Sequence, residues 1–164
     1  MILSGVQCGF RKEIKPYQGY EVWTRVMAWD EKWLYLVSHF VERGAGGPRT
    51  FVLQGGDQSV AVGGLGRKKD EGGQTKKEGN KKKVFASSVS RYVFKQGRKT
   101  VAPEAILLQC GLLPGREEEL WGTIEERRKR DVEAAQLKRG WDVVHEAFEE
   151  VDVALGRYTD LMWR

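Results

Sequence analysis

Three side chains in this sequence have the chemistry to move a proton or activate water near neutral pH: Asp30, His39 and His145. Asp30 opens the polar break Asp30-Glu31-Lys32 between two apolar runs, where a carboxylate usually bonds its own local backbone, so it is read as a turn residue and not as a general base. His39 lies inside an apolar run and His145 far along the chain among charged residues; with nothing linking them, both are read as packing or surface residues. The catalytic assignment is therefore left unknown. Arg11, Lys12 and Lys15 are flexible cations clustered before Pro16-Tyr17-Gln18-Gly19, suited either to ligand phosphates or to a solvated hairpin tip. Trp29, with Trp23 and Trp33, can line an apolar pocket or fill a core. The candidate substrate contacts are thus Arg11, Lys12, Lys15 and Trp29. Gly63-Gly64-Leu65-Gly66-Arg67 lacks the Lys-Ser/Thr ending of a phosphate loop and is set aside. Cys8 and Cys110 form no CxxC pair and have no histidine at ligand spacing, so neither a metal site nor a disulfide framework is indicated and no cofactor is assigned. Both thiols are expected to be reduced, buried small hydrophobes.

The elements that must hold these residues are mostly strands. Residues 6 to 14 alternate imperfectly between apolar and polar, predicting a strand that Lys15-Pro16 breaks before a reversal at Gly19. Tyr20 to Trp29 and Trp33 to Val41 carry apolar bulk on both faces, as a strand inside a sheet should, and Asp30-Glu31-Lys32 joins them as an antiparallel pair. Thr50 to Leu53 suggests a short edge strand. Val84 to Phe94 predicts another long strand, and its small residues at 86 to 88 imply that some element packs closely there. Pro103 opens a short helix that stops near Cys110-Gly111. From Glu117 the pattern is helical, with Gly140 as a break. Trp141, Val144, Phe148, Val151 and Leu155 then recur at spacings of three and four, a helical stripe able to bury against a sheet or a partner helix.

The 164 residues suffice for one compact core, and six Trp, six Phe and five Tyr argue against global disorder. The net charge of +5 is confined to residues 66 to 83, with eight basic and three acidic side chains; the rest of the chain is balanced. That tract is rich in Gly and Lys and poor in apolar residues, so it reads as a flexible insertion, and specific nucleic-acid binding is not expected. No apolar run approaches the about 18 residues of a membrane span, and a cytoplasmic location is expected. The chain divides into a strand-rich domain at 1 to 115, carrying the insertion at 64 to 83, and a helical extension at 116 to 164.

Phe10-Arg11-Lys12-Glu13-Ile14-Lys15-Pro16-Tyr17, Tyr20-Glu21-Val22-Trp23-Thr24-Arg25-Val26 and Trp29-Asp30-Glu31-Lys32-Trp33-Leu34-Tyr35 resemble the thioesterase superfamily with the hotdog fold, in an uncharacterised thioesterase-like branch. Phe85-Ala86, Tyr92-Val93-Phe94-Lys95 and the segment Pro103-Glu104 to Leu113-Pro114 are similar to it as well. The resemblance implies an α+β fold with a partial hotdog-like antiparallel sheet and C-terminal helices, and homodimers formed by sheet extension. It also implies an acyl-CoA ligand, whose phosphates Arg11, Lys12 and Lys15 could meet. In hotdog enzymes a strand and central helix bearing the catalytic acid come before these strands. The resemblance therefore implies a truncated domain, or a diverged one whose C-terminal helix replaces the missing helix, related to acyl-CoA thioester hydrolases but catalytically incomplete in this chain. A non-enzymatic interaction module using the C-terminal amphipathic helix is the alternative.

Overall fold

The computed structural model describes residues 1–45, 50–51, 84–117, 120–138, 140–149 and 153–159, and the basic tract at 66 to 83 lies outside them. Its elements are β1 (Ile2–Phe10), β2 (Tyr20–Trp29), β3 (Trp33–Glu42), β4 (Thr50–Phe51), β5 (Val84–Gln96), β6 (Lys99–Val101), α1 (Pro103–Gln109), α2 (Leu120–Ala135) and α3 (Trp141–Glu146). A 3-10 turn (Ala147–Glu149), β7 (Val153–Ala154) and β8 (Gly156–Thr159) follow. The main sheet is antiparallel in the order β1-β5-β3-β2-β8, with β6 pairing β5, an α+β, hotdog-like arrangement. β2 and β3 pair along their whole length as their two-sided apolar pattern predicts. A bulge between Val26 and Ala28 breaks the alternation, which is why Met27, Ala28 and Trp29 are buried in succession.

Three sequence expectations need correction. The first strand is Ile2–Phe10 and not 6 to 14: pairing with β5 starts at Ile2 opposite Val93, and the Arg11 and Lys12 amides then turn to the Phe85 carbonyl at 2.8 and 3.0 Å, ending the ladder. Cys8 and Cys110 are exposed, because β1 is an end strand with only Gly9 buried and Cys110 caps the outer end of α1. The stripe from Trp141 to Leu155 is not one helix. α3 stops at Glu146, and beyond the 3-10 turn β8 pairs with residues 21 to 24 of β2, while the Leu155 amide donates to the Thr24 carbonyl at 2.8 Å. The open edge of β2 supplies backbone partners that a continued helix would forgo. Thr50–Phe51 does form a short strand, paired in parallel with β7, outside the main sheet.

Helices pack on both sheet faces, with Tyr35 and Val37 of β3 in one cluster and the alternate residues Leu34 and Leu36 in the other. Met27, Ala28, Tyr35, Val37 and Val89 pack with Ala134 and Ala135 of α2 and Val144 of α3, so residues on both sides of 115 share a core. A second cluster gathers Trp29 and Leu34 with Leu107 and Leu113 after β6 and Ile124 at the start of α2. α3 comes so close to β1 that a Cβ on Gly9 would stand 2.3 Å from the Trp141 ring, whereas Gly122 in α2 faces open space. Gly9→Ala is expected to cost about 1–3 kcal/mol by overpacking. Gly122→Ala should stabilise by about 0.5–1 kcal/mol through helix propensity. Urea unfolding of the two variants beside the parent checks both signs.

Candidate functional site

The pairing register places Trp23 of β2, His39 of β3, Ser87 of β5 and Gly9 of β1 in one row straight across the sheet. α3 and the 3-10 turn lie over that row. Trp141 covers Gly9, His145 reaches Ser87, and Phe148 meets His39 and Trp23 edge-on at ring separations of 5.4 and 6.1 Å. The spacing 141, 145, 148 puts these side chains on one side of the segment. Gly140 enters it with a φ of 78°, a left-handed value that favours glycine and lets the chain turn onto the sheet.

Ser87 joins the two histidines. Its Oγ lies 2.8 Å from Nδ1 of His39 and 2.8 Å from Nδ1 of His145. A hydroxyl has one proton to give, so with both rings neutral Ser87 donates to one Nδ1 and accepts from the other, and the imidazoles are opposite tautomers. Nε2 of His39 is buried with no hydrogen-bond partner among the described residues. An orphaned acceptor is commoner than an orphaned N–H, which favours the proton of His39 on Nδ1. Burial, then the Arg25 guanidinium and His145, push the pKa of His39 well below the usual histidine range. Burial, then Arg11, lower that of His145, with Asp142 opposing. Both rings are held as neutral imidazoles by desolvation and nearby positive charge. Arg25 also donates to the Ala147 carbonyl at 3.0 Å, and the Glu21 carboxylate accepts from Trp23 Nε1 and the Gly44 amide, each at 3.2 Å.

The residues singled out in the sequence are scattered by comparison. Arg11, half-buried, lies 3.4 Å from Asp142 of α3 and so reaches the outer margin of the row; Lys12 and Lys15 are exposed on the connection between β1 and β2. Trp29 is a core residue at the opposite end of β2, its carbonyl accepting from Arg128 Nη1 at 2.9 Å. Arg11 sits beside Phe85 and Trp29 beside Leu34, which pairs with Tyr92, so at a rise of about 3.3 Å per residue roughly 20 Å of sheet separates them. Asp30 is the turn residue expected: Oδ1 accepts from the amides of Lys32 and Trp33 at 2.9 and 2.7 Å, and Oδ2 from the Tyr35 hydroxyl at 2.9 Å. The reading of His39 and His145 as unlinked misses Ser87, the side chain between them. Of the C-terminal stripe, Val144 and Phe148 are buried in this chain's own core.

Similarity to known proteins bears on the same sheet. The chain is 38% identical over 162 positions to thioesterase poxG of Penicillium oxalicum, covering 92% of this chain and 49% of that one. It is 39% identical over 176 positions to the probable thioesterase atnL of Emericella nidulans, covering 98% and 52%. It is 33% identical over 111 positions to the probable thioesterase YBR096W of Saccharomyces cerevisiae, covering 67% and 32%. Over two thirds or more of its length the chain is thus similar to thioesterase-named proteins. It spans about half the length of the curated relatives poxG and atnL. No family model matches it, and no solved structure does.

Thioester hydrolysis requires a base within reach of water and donors facing the developing oxyanion. In this thioesterase-like chain the bonded imidazoles and serine have the chemistry to pass a proton, yet Ser87 is 0% exposed and the row is sealed by α3 and Phe148. As it stands the row holds the C-terminal segment on the sheet. Ser87→Ala is expected to cost about 2–4 kcal/mol, since two buried ring nitrogens lose their partner. In a His39→Ala, His145→Ala background the same change should cost under about 1 kcal/mol. Equal costs in both backgrounds, measured by denaturant unfolding, would show that Ser87 contributes packing alone.

Proposed function

We propose that this chain is the strand-rich part of a protein acting on acyl thioesters of the acyl-CoA class, and that alone it is catalytically incomplete. The observation that carries this reading is the identity to thioesterase-named proteins along nearly the whole chain, on a hotdog-like sheet. Incompleteness is supported by the state of the candidate groups. Asp30 is occupied by its turn, and His39, Ser87 and His145 are closed beneath α3. The exposed cations Lys12 and Lys15, with Arg11 behind them, suit the phosphates of coenzyme A, whereas Trp29, buried in the core roughly 20 Å of sheet away, would meet an acyl chain only if that core opened. Purified protein given acetyl-CoA or palmitoyl-CoA should release no thiol above a protein-free control, read with a thiol-reactive dye. Steady turnover abolished by a single substitution would overturn the incomplete reading.

The same proposal includes a homodimer formed by sheet extension. Support comes from β1, an end strand bonded to β5 on one side, whose Ile2, Leu3, Val6 and Phe10 are all at least half exposed. Long apolar edges of this kind favour pairing with another strand. Light scattering after size exclusion should give twice the chain mass, and Val6→Lys should lower it to the monomer. An unchanged mass for Val6→Lys would move the interface elsewhere.

A further inference from the structure

We propose that Trp141–Glu149 is a proton-released latch, closed over the sheet while His39 and His145 are neutral and lifting from it, with the sheet intact, when they take up protons. The inference does not depend on the thioester reading.

The geometry sets how many protons the closed row can hold. A first extra proton can be accommodated: the charged ring donates to Ser87 Oγ, and Ser87 donates onward to the other Nδ1. A second cannot. Both Nδ1 atoms would then be donors aimed at one oxygen, the Ser87 proton would lose its acceptor, and two imidazolium rings would face each other across a single hydroxyl. The surrounding charges offer no relief. From β2, Arg25 adds a buried cation bonded to Ala147, and the Glu21 carboxylate is taken by Trp23 and Gly44. From the connection after β1, Arg11 faces His145 and is bonded to Asp142 of α3 itself. Glu146 of α3 is exposed. From α2, which packs against α3, Asp131 is held by Arg127 and Arg130 at 3.5 and 2.9 Å.

The segment is what yields, because its ties to the sheet at the row are side-chain ties. Trp141 stacks on Gly9, His145 bonds Ser87, Arg25 reaches the Ala147 carbonyl, and Phe148 covers His39. β3 and β5, by contrast, are joined by a backbone ladder nine pairs long. α3 is six residues long, too short to persist unsupported, and begins at the left-handed Gly140. Once the segment lifts, both rings meet water and regain ordinary basicity, so the open state binds more protons than the closed one below a pH of about 6.5 and opening increases as pH falls. Between pH 7 and pH 5 the opening constant rises about 25-fold if one ring takes up a proton and about 600-fold if both do.

Hydrogen exchange of the full chain at pH 7 and pH 5, corrected for intrinsic chemical rates, tests this. Amides of 141–149 should open at least 25-fold more at pH 5, while those of β3 and β5 change much less. A change under twofold in the segment, or the same change in β3 and β5, overturns the latch. In the His39→Asn, His145→Asn variant, which keeps a polar group near each Nδ1, the segment's response between these pH values should vanish; full retention of it also overturns the proposal. Should that variant leave the segment open throughout, imidazole titration of the parent by NMR decides. Both rings must titrate below 6.5 together with the opening, and a ring titrating at or above 6.5 refutes the mechanism.

Discussion

The structure depends on one transverse row in which side-chain volume falls from β2 to β1: Trp23, His39, Ser87, Gly9. A segment crossing the sheet can lie flat on this row only if it places its greatest bulk where the row is smallest, and Trp141 stands over Gly9. Phe148 wedges against Trp23 and His39, His145 stands over Ser87, and Trp141 takes the space that Gly9 leaves. At the Gly9 end the dense interior leaves no room for a second large partner beside Trp141, whereas at the other end Phe148 fits by meeting the Trp23 and His39 rings edge-on. The hydrogen bonds through Ser87 then fix the register of that fit, because a buried imidazole has no alternative partner within reach.

Much of this architecture is legible along the chain. The β2 and β3 pair follows from two apolar runs around a polar turn, α1 from Pro103 and Gly111, and the close approach at β5 from its small residues. What cannot be read there is register. His39 and Ser87 are each a polar side chain in the middle of an apolar face, visible by alternation, but that they stand opposite each other depends on how many residues separate the strands in space. His145 is further still, since only the placement of α3 brings it in. The exposed Cys8 has the same origin. Alternation marks it as one of a strand's apolar positions, and only the strand order makes that strand an end one. The segment after Glu146 has helical spacing but folds partly as strand, because an open sheet edge offers backbone partners that periodicity does not register.

The groups best suited to proton transfer are thus spent on cohesion. In the sequence they look isolated and idle; in the fold they are neighbours, sealed from water. The exposed cations Lys12 and Lys15 stay outside at one end of the sheet, and Trp29 is buried in the core at the other.

The pairing of β8 with β2 has a consequence in time. Thr24 and Gly156 are partners across the sheet although about 130 residues of chain lie between them. At a translation rate of roughly 5–20 residues per second, the edge of β2 stands unoccupied for about 7–26 s after its own strand has emerged. Hairpin closure with β3 takes microseconds over that interval. The nascent sheet therefore carries the backbone edge at residues 21 to 24 without its β8 partner for as long as the residues between the two strands are being made.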